Sequence, residues 1–164
     1  MQGLLLAITS AQKYIYVQTP YLLPTEPILV ALKTVALAGV DVRIMIPEKS
    51  DSQAIHWGTL SYLSELMEAG VKIYMYKKGF LHSKLMVSDD CLATVGSTNM
   101  DFRSFESNFE INAFMYDRTS ALKLKDVFLS DQKDAKLIHP GKWHMRPWSQ
   151  KVKESVIRLF APLL

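Results

Sequence analysis

The chain has 164 residues, the size of one domain with a single hydrophobic core. About half of its residues are apolar (49%) and 21% are charged, which excludes a disordered or low-complexity protein. The net charge of +3 permits binding to anionic lipid or nucleic acid without requiring either, and the lone cysteine, Cys91, excludes an internal disulfide. No apolar run approaches the ~20 residues of a membrane-spanning helix, and no basic region precedes the first apolar stretch, as it would in a signal peptide.

Helical and extended patterns alternate in the first half of the chain. Apolar spacing predicts helices over Leu4–Gln12, from Thr25 to Gly39, and from Asp51 or Ser52 to Gly70. Between them, β-branched and aromatic runs predict strands over Tyr14–Gln18, Val40–Ile46 and Val71–Tyr76. Short links between strand, helix and strand favour right-handed parallel crossovers.

The second half begins with a different pattern. Lys84–Ser88 and Leu92–Val95 are predicted to form an antiparallel hairpin that turns at Asp89-Asp90. Phe109–Tyr116 is predicted as a central strand because it is largely apolar. A helix is expected over Arg118–Asp131 with four residues facing inward: Ala121, Leu124, Val127 and Phe128.

The carboxy-terminal part has weaker signals. Residues 135–148 are predicted to be irregular, and a last amphipathic helix is marked by Val152, Val156, Leu159 and Phe160. Taken together, the elements predict one α/β domain over residues 1–164. Its sheet is expected to be mixed and mostly parallel, with helices on both faces.

Polar residues with regular spacing surround the predicted hairpin. His82, Lys84 and Asp89 stand in the spacing His-x-Lys-x4-Asp, and Gly96, Ser97 and Asn99 follow. His82 and Lys84 are two residues apart, so on a strand they point to the same face, and the same holds for Ser97 and Asn99. These four side chains could therefore converge at the ends of two neighbouring strands, where they could hold and attack a phosphate.

This block resembles the HKD signature of the phospholipase D superfamily, His-x-Lys-x4-Asp-x6-Gly-Ser-x-Asn, and every defined position is filled. Further stretches are similar to the carboxy-terminal half of bacterial cardiolipin synthases, and the resemblance covers nearly the whole chain. These stretches are QTPYLLP at Gln18–Pro24, the run Asn99–Ser104, Asn-Phe-Glu at Asn108–Glu110, and the closing RLFAPLL. The resemblance implies a phospholipase D-like fold with one HKD half, and it suggests a fragment of a longer two-half enzyme.

The resemblance also implies a role for each motif residue. His82 would attack phosphorus to form a phosphohistidine, or would protonate the leaving alkoxide, and a single half leaves both roles open. Lys84, Ser97 and Asn99 would bind the phosphate. Asp89 would orient the site, although Asp89-Asp90 is also an adequate turn, and Glu110 would orient the HKD histidine.

The expected activity is phosphatidyl transfer between two phosphatidylglycerol molecules, with release of glycerol. Water as the acceptor would make the same site a phospholipase D hydrolase, and pairing of two single-motif chains would make a homodimeric phosphodiesterase or nuclease. A severed half that folds without activity is the third alternative. No metal or cofactor is expected, because Lys84 supplies the positive charge and no zinc-type spacing is present.

The expected partners are the phospholipid substrate and either the second HKD half of the parent chain or a homodimer partner. An anionic membrane surface is also expected, whereas nucleic acid is not, because no pronounced basic stripe is present. The resemblance places the enzyme at the cytoplasmic face of a bacterial cell membrane, held there by segments outside this chain. The fragment itself is expected to be soluble.

Overall fold

The computed structural model describes residues 1–163, in which helices and strands alternate along the first half as predicted. The helices are α1 (Gln2–Thr9), α2 (Glu26–Leu37), α3 (Gln53–Glu68), α4 (Phe102–Glu106), α5 (Arg118–Gln132), α6 (Pro140–His144) and α7 (Trp148–Leu159). The strands are β1 (Tyr14–Gln18), β2 (Leu22–Leu23), β3 (Asp41–Pro47), β4 (Lys72–Tyr76), β5 (Leu85–Ser88), β6 (Leu92–Gly96), β7 (Met100–Asp101), β8 (Asn112–Met115) and β9 (Ala135–Leu137). A 3-10 turn over Ala161–Leu163 follows α7.

The main sheet has seven strands in the order β8-β6-β5-β1-β3-β4-β9. Its centre, β1-β3-β4, is parallel, because α2 and α3 carry the chain back between successive strands. Antiparallel pairing adds β5, β6 and β8 on one side and β9 on the other. The predicted mixed sheet is therefore confirmed, with its parallel pairing confined to the three central strands. β2 and β7 form a separate two-stranded parallel sheet.

Helices cover both faces of the main sheet, as predicted. In β1, Ile15 and Val17 belong to the larger core, which includes side chains of α1, α2, α3 and α6. Tyr14 and Tyr16 belong to a smaller core with α5, and Tyr16 stacks on the fully buried Phe128 with ring centroids 4.9 Å apart. This division follows from the two-residue repeat of a strand, which sends successive side chains to opposite faces.

Residues in left-handed backbone conformations end several elements. Gly39 and Gly70 adopt φ angles of 94° and 98° after α2 and α3, a conformation that glycine reaches without strain. Asp89 and Asp90 adopt φ angles of 53° and 57° in the turn between β5 and β6. Aspartate tolerates this conformation better than most residues, and the predicted hairpin is confirmed.

Three predictions for the second half are wrong. The strand predicted over Phe109–Tyr116 is the shorter β8, which lies at the edge of the sheet, and Phe109 and Ile111 before it are 107% and 79% exposed. That run is apolar without being buried, which periodicity cannot reveal. Val127 of α5 is likewise exposed instead of facing inward. The segment predicted as irregular contains β9 and α6, because pairing with β4 organises it.

Within residues 1–163, no helix combines the length and the apolar character that crossing a bilayer requires.

Candidate active site

The candidate site lies at the edge of the sheet where β5 begins and β6 ends. Because these strands are antiparallel, Lys84 just before β5 lies beside Gly96 at the end of β6, and Gly96 N donates to Lys84 O at 3.3 Å. Gln18 at the end of β1 pairs with Leu85 in the same row. His82 and Lys84 therefore share an edge with the residues that follow Gly96, as the motif spacing predicts.

Gly96 is the motif position whose identity the backbone packing explains most directly. A β-carbon at residue 96 would overlap the carbonyl oxygen of Ile111 and would lie 2.7 Å from Cα of Asn112. These are backbone atoms of the neighbouring chain segment, so they cannot move aside as a flexible side chain would. Glycine is therefore needed for β8 to approach β6 at this point.

His82 is exposed and lines an open cleft of about 510 Å³, hereafter the His82 cleft. Its ring centroid lies 5.3 Å from that of Phe80 and 6.3 Å from that of Tyr21. Within residues 1–163, the His82 imidazole has no side-chain hydrogen bond, which leaves both ring nitrogens available to a ligand. The cleft is also lined by Gln18, Tyr76, Lys78, Leu81, Ser83, Lys84, Leu85, Val95, Gly96, Val127 and Asp131.

Lys84 points its ammonium group back to the turn that carries His82. Its Nζ donates a hydrogen bond to the carbonyl oxygen of His82 at 2.9 Å. Burial lowers the pKa of Lys84 below its usual value, and the carboxylates of Glu110, Asp101 and Asp51 oppose this shift. The cation is thus partly withdrawn from water, which strengthens its attraction for a bound anion.

A buried polar chain positions the segment between His82 and Lys84. Ser83 Oγ donates to Gln18 Oε1 at 2.7 Å, and Gln18 Nε2 donates to Asp131 Oδ2 of α5 at 2.9 Å. Gln18 is only 1% exposed, so both halves of its carboxamide are satisfied inside the protein. The motif does not identify this chain of contacts, although a glutamine that ends an otherwise apolar strand is a usable signal.

Glu110 lies beside Ser97, just before β8. Its carboxylate accepts hydrogen bonds from the hydroxyl of Ser97, from Ser104 Oγ at 3.3 Å and from Asn108 Nδ2 at 3.3 Å. Ser97 Oγ also accepts from the backbone N–H of Ile111 at 3.0 Å. In the part of the chain that the structure describes, Glu110 is therefore bonded to the Ser97 side of the site and not to His82.

Asn99 presents an unsatisfied polar atom close to this network. Its backbone N–H donates to Ser104 Oγ at 3.2 Å, whereas its buried Oδ1 has no partner among residues 1–163. A half-turn of the carboxamide would exchange this oxygen for the NH₂ group, which is a donor. A buried atom with unmet hydrogen-bonding capacity at this position is available to a ligand.

Asp89 lies at the opposite end of β5 from the other motif residues. Four residues lie between it and Lys84, and the five steps of extended chain span about 16 Å at the usual rise per residue. Its carboxylate accepts three backbone hydrogen bonds, from Gln12 at 2.7 Å and from Lys13 and Tyr14 at 2.9 Å each. The structure thus does not bring Asp89 to the site and instead uses it to anchor the start of β1.

A second cavity of about 530 Å³ adjoins the His82 cleft, because Tyr76 and Phe80 line both. Tyr21 Oη donates to Asp51 Oδ2 at the wall of this cavity at 2.7 Å. Burial first, and then this hydrogen bond, raise the pKa of Tyr21 to about 12, so the tyrosine remains a donor at neutral pH. The remaining lining residues are Glu48, Lys49, Ser50, Lys77 and Gly79, of which two are lysines and one is a glutamate.

The arrangement provides a nucleophile or proton donor beside a cation and several neutral hydrogen-bonding groups. Among residues 1–163, no three side chains of His, Cys, Asp and Glu are grouped as ligands for a metal ion would be. Two lysines, Lys78 and Lys84, line the His82 cleft and give it positive charge. Such a set of side chains suits an anionic phosphodiester.

Comparison with known proteins agrees with this chemistry. The family described as "Cardiolipin synthase, PLD-like domain" matches residues 4–132. The chain is 52% identical over 157 residues to a cardiolipin synthase from Geobacillus sp. (strain WCH70) and 45% identical over 157 residues to cardiolipin synthase 1 from Staphylococcus epidermidis (strain ATCC 12228 / FDA PCI 1200). These alignments cover 96% of this chain but 31% and 32% of the relatives, so the chain spans about a third of their length.

Solved structures show the same fold. Nuc from Salmonella typhimurium, a phospholipase D family member, has a TM-score of 0.71 at 21% identity, with coverage of 84% of this chain and 90% of Nuc. Phosphatidylserine synthase from Haemophilus influenzae has a TM-score of 0.78 at 17% identity, with coverage of 99% and 44%. With the family match over most of the chain, these findings confirm the resemblance carried by the HKD motif: the chain belongs to the phospholipase D-like domain family of cardiolipin synthases.

Proposed function

We propose that this chain is one HKD half of a phosphatidyltransferase of the cardiolipin synthase type. The observation that carries the proposal is the placement of His82 and Lys84 in one open cleft beside Gly96, in a chain of this family. The substrate is phosphatidylglycerol, and the reaction moves a phosphatidyl group from one molecule to the terminal hydroxyl of another. Glycerol is released, and the product is cardiolipin.

The reaction is a double displacement at phosphorus. A ring nitrogen of one HKD histidine attacks the phosphodiester, the bond between phosphorus and the glycerol oxygen breaks, and the histidine of the other half protonates that oxygen. The hydroxyl of the second phosphatidylglycerol then attacks the phosphohistidine. The second histidine, now neutral, takes the hydroxyl proton as the phosphorus–nitrogen bond breaks. His82 fills one of these two roles.

The other motif residues stabilise the phosphate during both displacements. Lys84 faces the non-bridging oxygens, where negative charge increases, and its partial burial strengthens that attraction. A half-turn of the Asn99 carboxamide would replace the unpartnered Oδ1 by the NH₂ group, which can donate to a phosphate oxygen. Between turnovers, Glu110 holds Ser97 in place by accepting a hydrogen bond from its hydroxyl. When substrate binds, the phosphate competes with Glu110 for this hydroxyl, and Ser97 then donates to the phosphate.

Two histidines across one phosphate require a partner for this chain. The second HKD half of the same polypeptide, or a second copy of this chain, closes the open His82 cleft from above. The relatives are about three times as long as the matched region, which leaves ample sequence for a second half. The cavity next to the cleft accommodates the acceptor alcohol, with Glu48, Ser50 and Asp51 of its lining available to its hydroxyl groups.

The test replaces His82 by alanine in the enzyme that joins this chain to its second half. With phosphatidylglycerol vesicles, His82→Ala should lower glycerol release and cardiolipin formation by about 10⁴-fold or more, because no chemical step remains accessible. Both products are quantified by mass spectrometry. The matched control is His139→Ala, an exposed histidine at the start of α6 that should keep full activity.

The outcome also separates transfer from hydrolysis. Cardiolipin together with glycerol supports transfer, whereas phosphatidic acid as the main product would assign the chain to a phospholipase D hydrolase. Retention of turnover in His82→Ala would remove His82 from the mechanism.

A further inference from the structure

The last helix, α7, presents its apolar side to solvent. Trp148, Val152, Val156 and Leu159 follow one another at intervals of four, four and three residues, which places them on one face of the helix, hereafter the α7 apolar face. All four are exposed, and Trp148 and Leu159 are 75% and 78% exposed. The following 3-10 turn extends the face with Leu163, which is also exposed.

The opposite side of α7 packs on the protein through charged groups. Glu154 is only 5% exposed and accepts two hydrogen bonds from the guanidinium of Arg146, at 2.5 and 3.0 Å. Arg158 pairs with Glu65 of α3 at 2.8 Å and lies 4.2 Å above the Tyr62 ring. A helix on a globular core normally buries its apolar stripe, so this inverted arrangement indicates that another phase or molecule covers the exposed face.

The carboxy-terminal segment that contains α7 has a net positive charge. At 3.6 residues per turn, Lys151 and Lys153 lie on opposite sides of the apolar face, each about 100° from its centre. In the unbound chain, Lys151 Nζ donates to the carbonyl oxygen of His144 at 2.7 Å and Lys153 Nζ lies 5.7 Å from the Trp57 ring centroid, so both side chains would turn outward to reach lipid headgroups. Residues 136–164 contain six Lys and Arg and a single Glu, so this segment carries +5 in a chain whose total is +3. The remaining 135 residues are therefore net acidic, and the excess positive charge lies in the carboxy-terminal segment. Arg146 and Arg158 of this segment are paired with Glu154 and Glu65.

We propose that the α7 apolar face lies on an anionic phospholipid surface, with Trp148 and Leu159 inserted among the acyl chains and Lys151 and Lys153 at the headgroups. An apolar stripe flanked by lysines, with a tryptophan at one end, is what an interfacial helix presents to a bilayer. The core of a protein interface, by contrast, is depleted in lysine. The inference that lipid covers the α7 apolar face rests on the proposed function, in which the substrate is a phospholipid.

A groove next to the α7 apolar face has a mixed lining, in which Glu26, Ser155 and Arg158 lie beside apolar residues. It has a volume of about 410 Å³, and Leu159 and Pro162 form its wall on the α7 side. Phe102 and Pro24 contribute to its lining, and Phe102 follows Asn99 by three residues. Contact at the α7 apolar face would therefore bring acyl chains to the protein surface adjacent to the segment that carries Asn99.

The test measures binding of the purified chain to sedimentable vesicles of phosphatidylglycerol and of phosphatidylcholine. We expect binding to phosphatidylglycerol to be at least tenfold tighter than binding to phosphatidylcholine, because the flanking lysines meet anionic headgroups. The double variant Trp148→Ser, Leu159→Ser should bind phosphatidylglycerol vesicles at least tenfold more weakly. The matched control is Val30→Ser, Leu37→Ser, which removes two exposed apolar side chains from α2 and should stay within twofold of the unmodified chain.

Circular dichroism of each variant verifies that the fold is retained, which is expected because both α7 substitutions are at exposed positions. Absence of binding to phosphatidylglycerol vesicles, or equal binding by the α7 variant and the control, would overturn the proposal. A third result would also overturn it. If light scattering shows that the unmodified chain is a dimer, and the α7 variant is a monomer that binds vesicles as tightly as before, then a second copy of the chain covers the α7 apolar face.

The result can be separated from the outcome for the catalytic proposal. His82→Ala should abolish cardiolipin formation in the joined enzyme while leaving vesicle binding of the chain unchanged. A variant that loses only vesicle binding tests the proposal for α7, and a variant that loses only turnover tests the catalytic role of His82.

Discussion

The two ends of β5 carry parts of one sequence motif but have different environments. At the start of the strand, His82 is exposed, Lys84 is partly buried with a lowered pKa, and neither has an ion-pair partner among residues 1–163. At the other end, Asp89 accepts three backbone hydrogen bonds from the segment that begins β1. The first end is free to meet a ligand, and the second is fully engaged within the fold.

The difference shows that one sequence motif can join a reactive group to a structural one. Strand β5 fixes the distance between Lys84 and Asp89. The hydrogen bonds of Asp89 to the start of β1 therefore hold the register of β5 against β1, and this register determines where Lys84 lies beside Gly96. We therefore expect substitutions at the His82 end to lower activity without lowering stability, and substitutions at the Asp89 end to do the reverse.

The largest effect in this comparison is expected for Lys84→Met in the joined enzyme. Loss of the cation at the phosphate should lower kcat by about 10³-fold, or about 4 kcal/mol of transition-state stabilisation. Steady-state kinetics with phosphatidylglycerol measures this loss, and Lys123→Met, an exposed position on α5, is the control. Activity within tenfold of the unmodified enzyme would show that Lys84 does not contact the phosphate.

The same substitution has a predicted dependence on pH. Because the pKa of Lys84 is lower in the folded state, the unfolded state binds more protons between the two pKa values, and stability rises with pH in that range. At neutral pH, Lys84→Met should therefore have a melting temperature equal to or above that of the unmodified chain. This advantage should shrink as the pH approaches the usual pKa of lysine, which thermal denaturation at several pH values can measure.

Asp89→Ala should have the next largest effect, and it should appear in stability. Three backbone N–H groups lose a charged acceptor, which should lower the free energy of unfolding by about 3 kcal/mol. Asp89→Asn keeps an acceptor and tolerates the left-handed backbone, so it should lose less. Urea denaturation measures both, and the folded fraction should retain its kcat within about threefold. An Asp89→Ala variant that is stable but inactive would show that Asp89 acts in catalysis and not only in stability.

The smallest effect is expected for the buried chain behind His82. Gln18→Met should leave Ser83 and Asp131 without their partner and lower kcat by about tenfold, or about 1.4 kcal/mol, with little change in KM. Ser83→Ala removes only one of the two contacts and should lose less. A rise in KM at unchanged kcat would indicate that Gln18 supports substrate binding instead of the placement of His82.

The sequence predicts this division only in part. The elements of the first half and the hairpin follow from apolar periodicity and from turn residues, and the spacing of the motif predicts which side chains share an edge. The anchoring of β1 by Asp89 could not be predicted, because its partners are backbone groups 75 to 77 residues away. The contacts of Gln18 with Ser83 and Asp131 likewise depend on tertiary packing across the sheet.

Two of the wrong predictions, the strand over Phe109–Tyr116 and the inward-facing Val127, have a common physical origin. Phe109 and Ile111 before β8 are apolar but exposed, and so is Val127 beside the His82 cleft. Periodicity assigns apolar residues to a buried face, whereas surfaces that meet a ligand or a partner are also apolar. A local pattern does not distinguish between these two reasons for being apolar.

Binding of phosphate at the His82 end of β5 can be tested by nuclear magnetic resonance titration of the isotope-labelled chain with glycerophosphoglycerol, the deacylated headgroup of phosphatidylglycerol. We expect shifts of the backbone amides of Lys84, Gly96, Ser97 and Asn99 and of the His82 ring, with the turn at Asp89 and Asp90 unchanged. Shifts centred on the Asp89 turn, or no shift around His82, would contradict the assignment of phosphate binding to this end of β5.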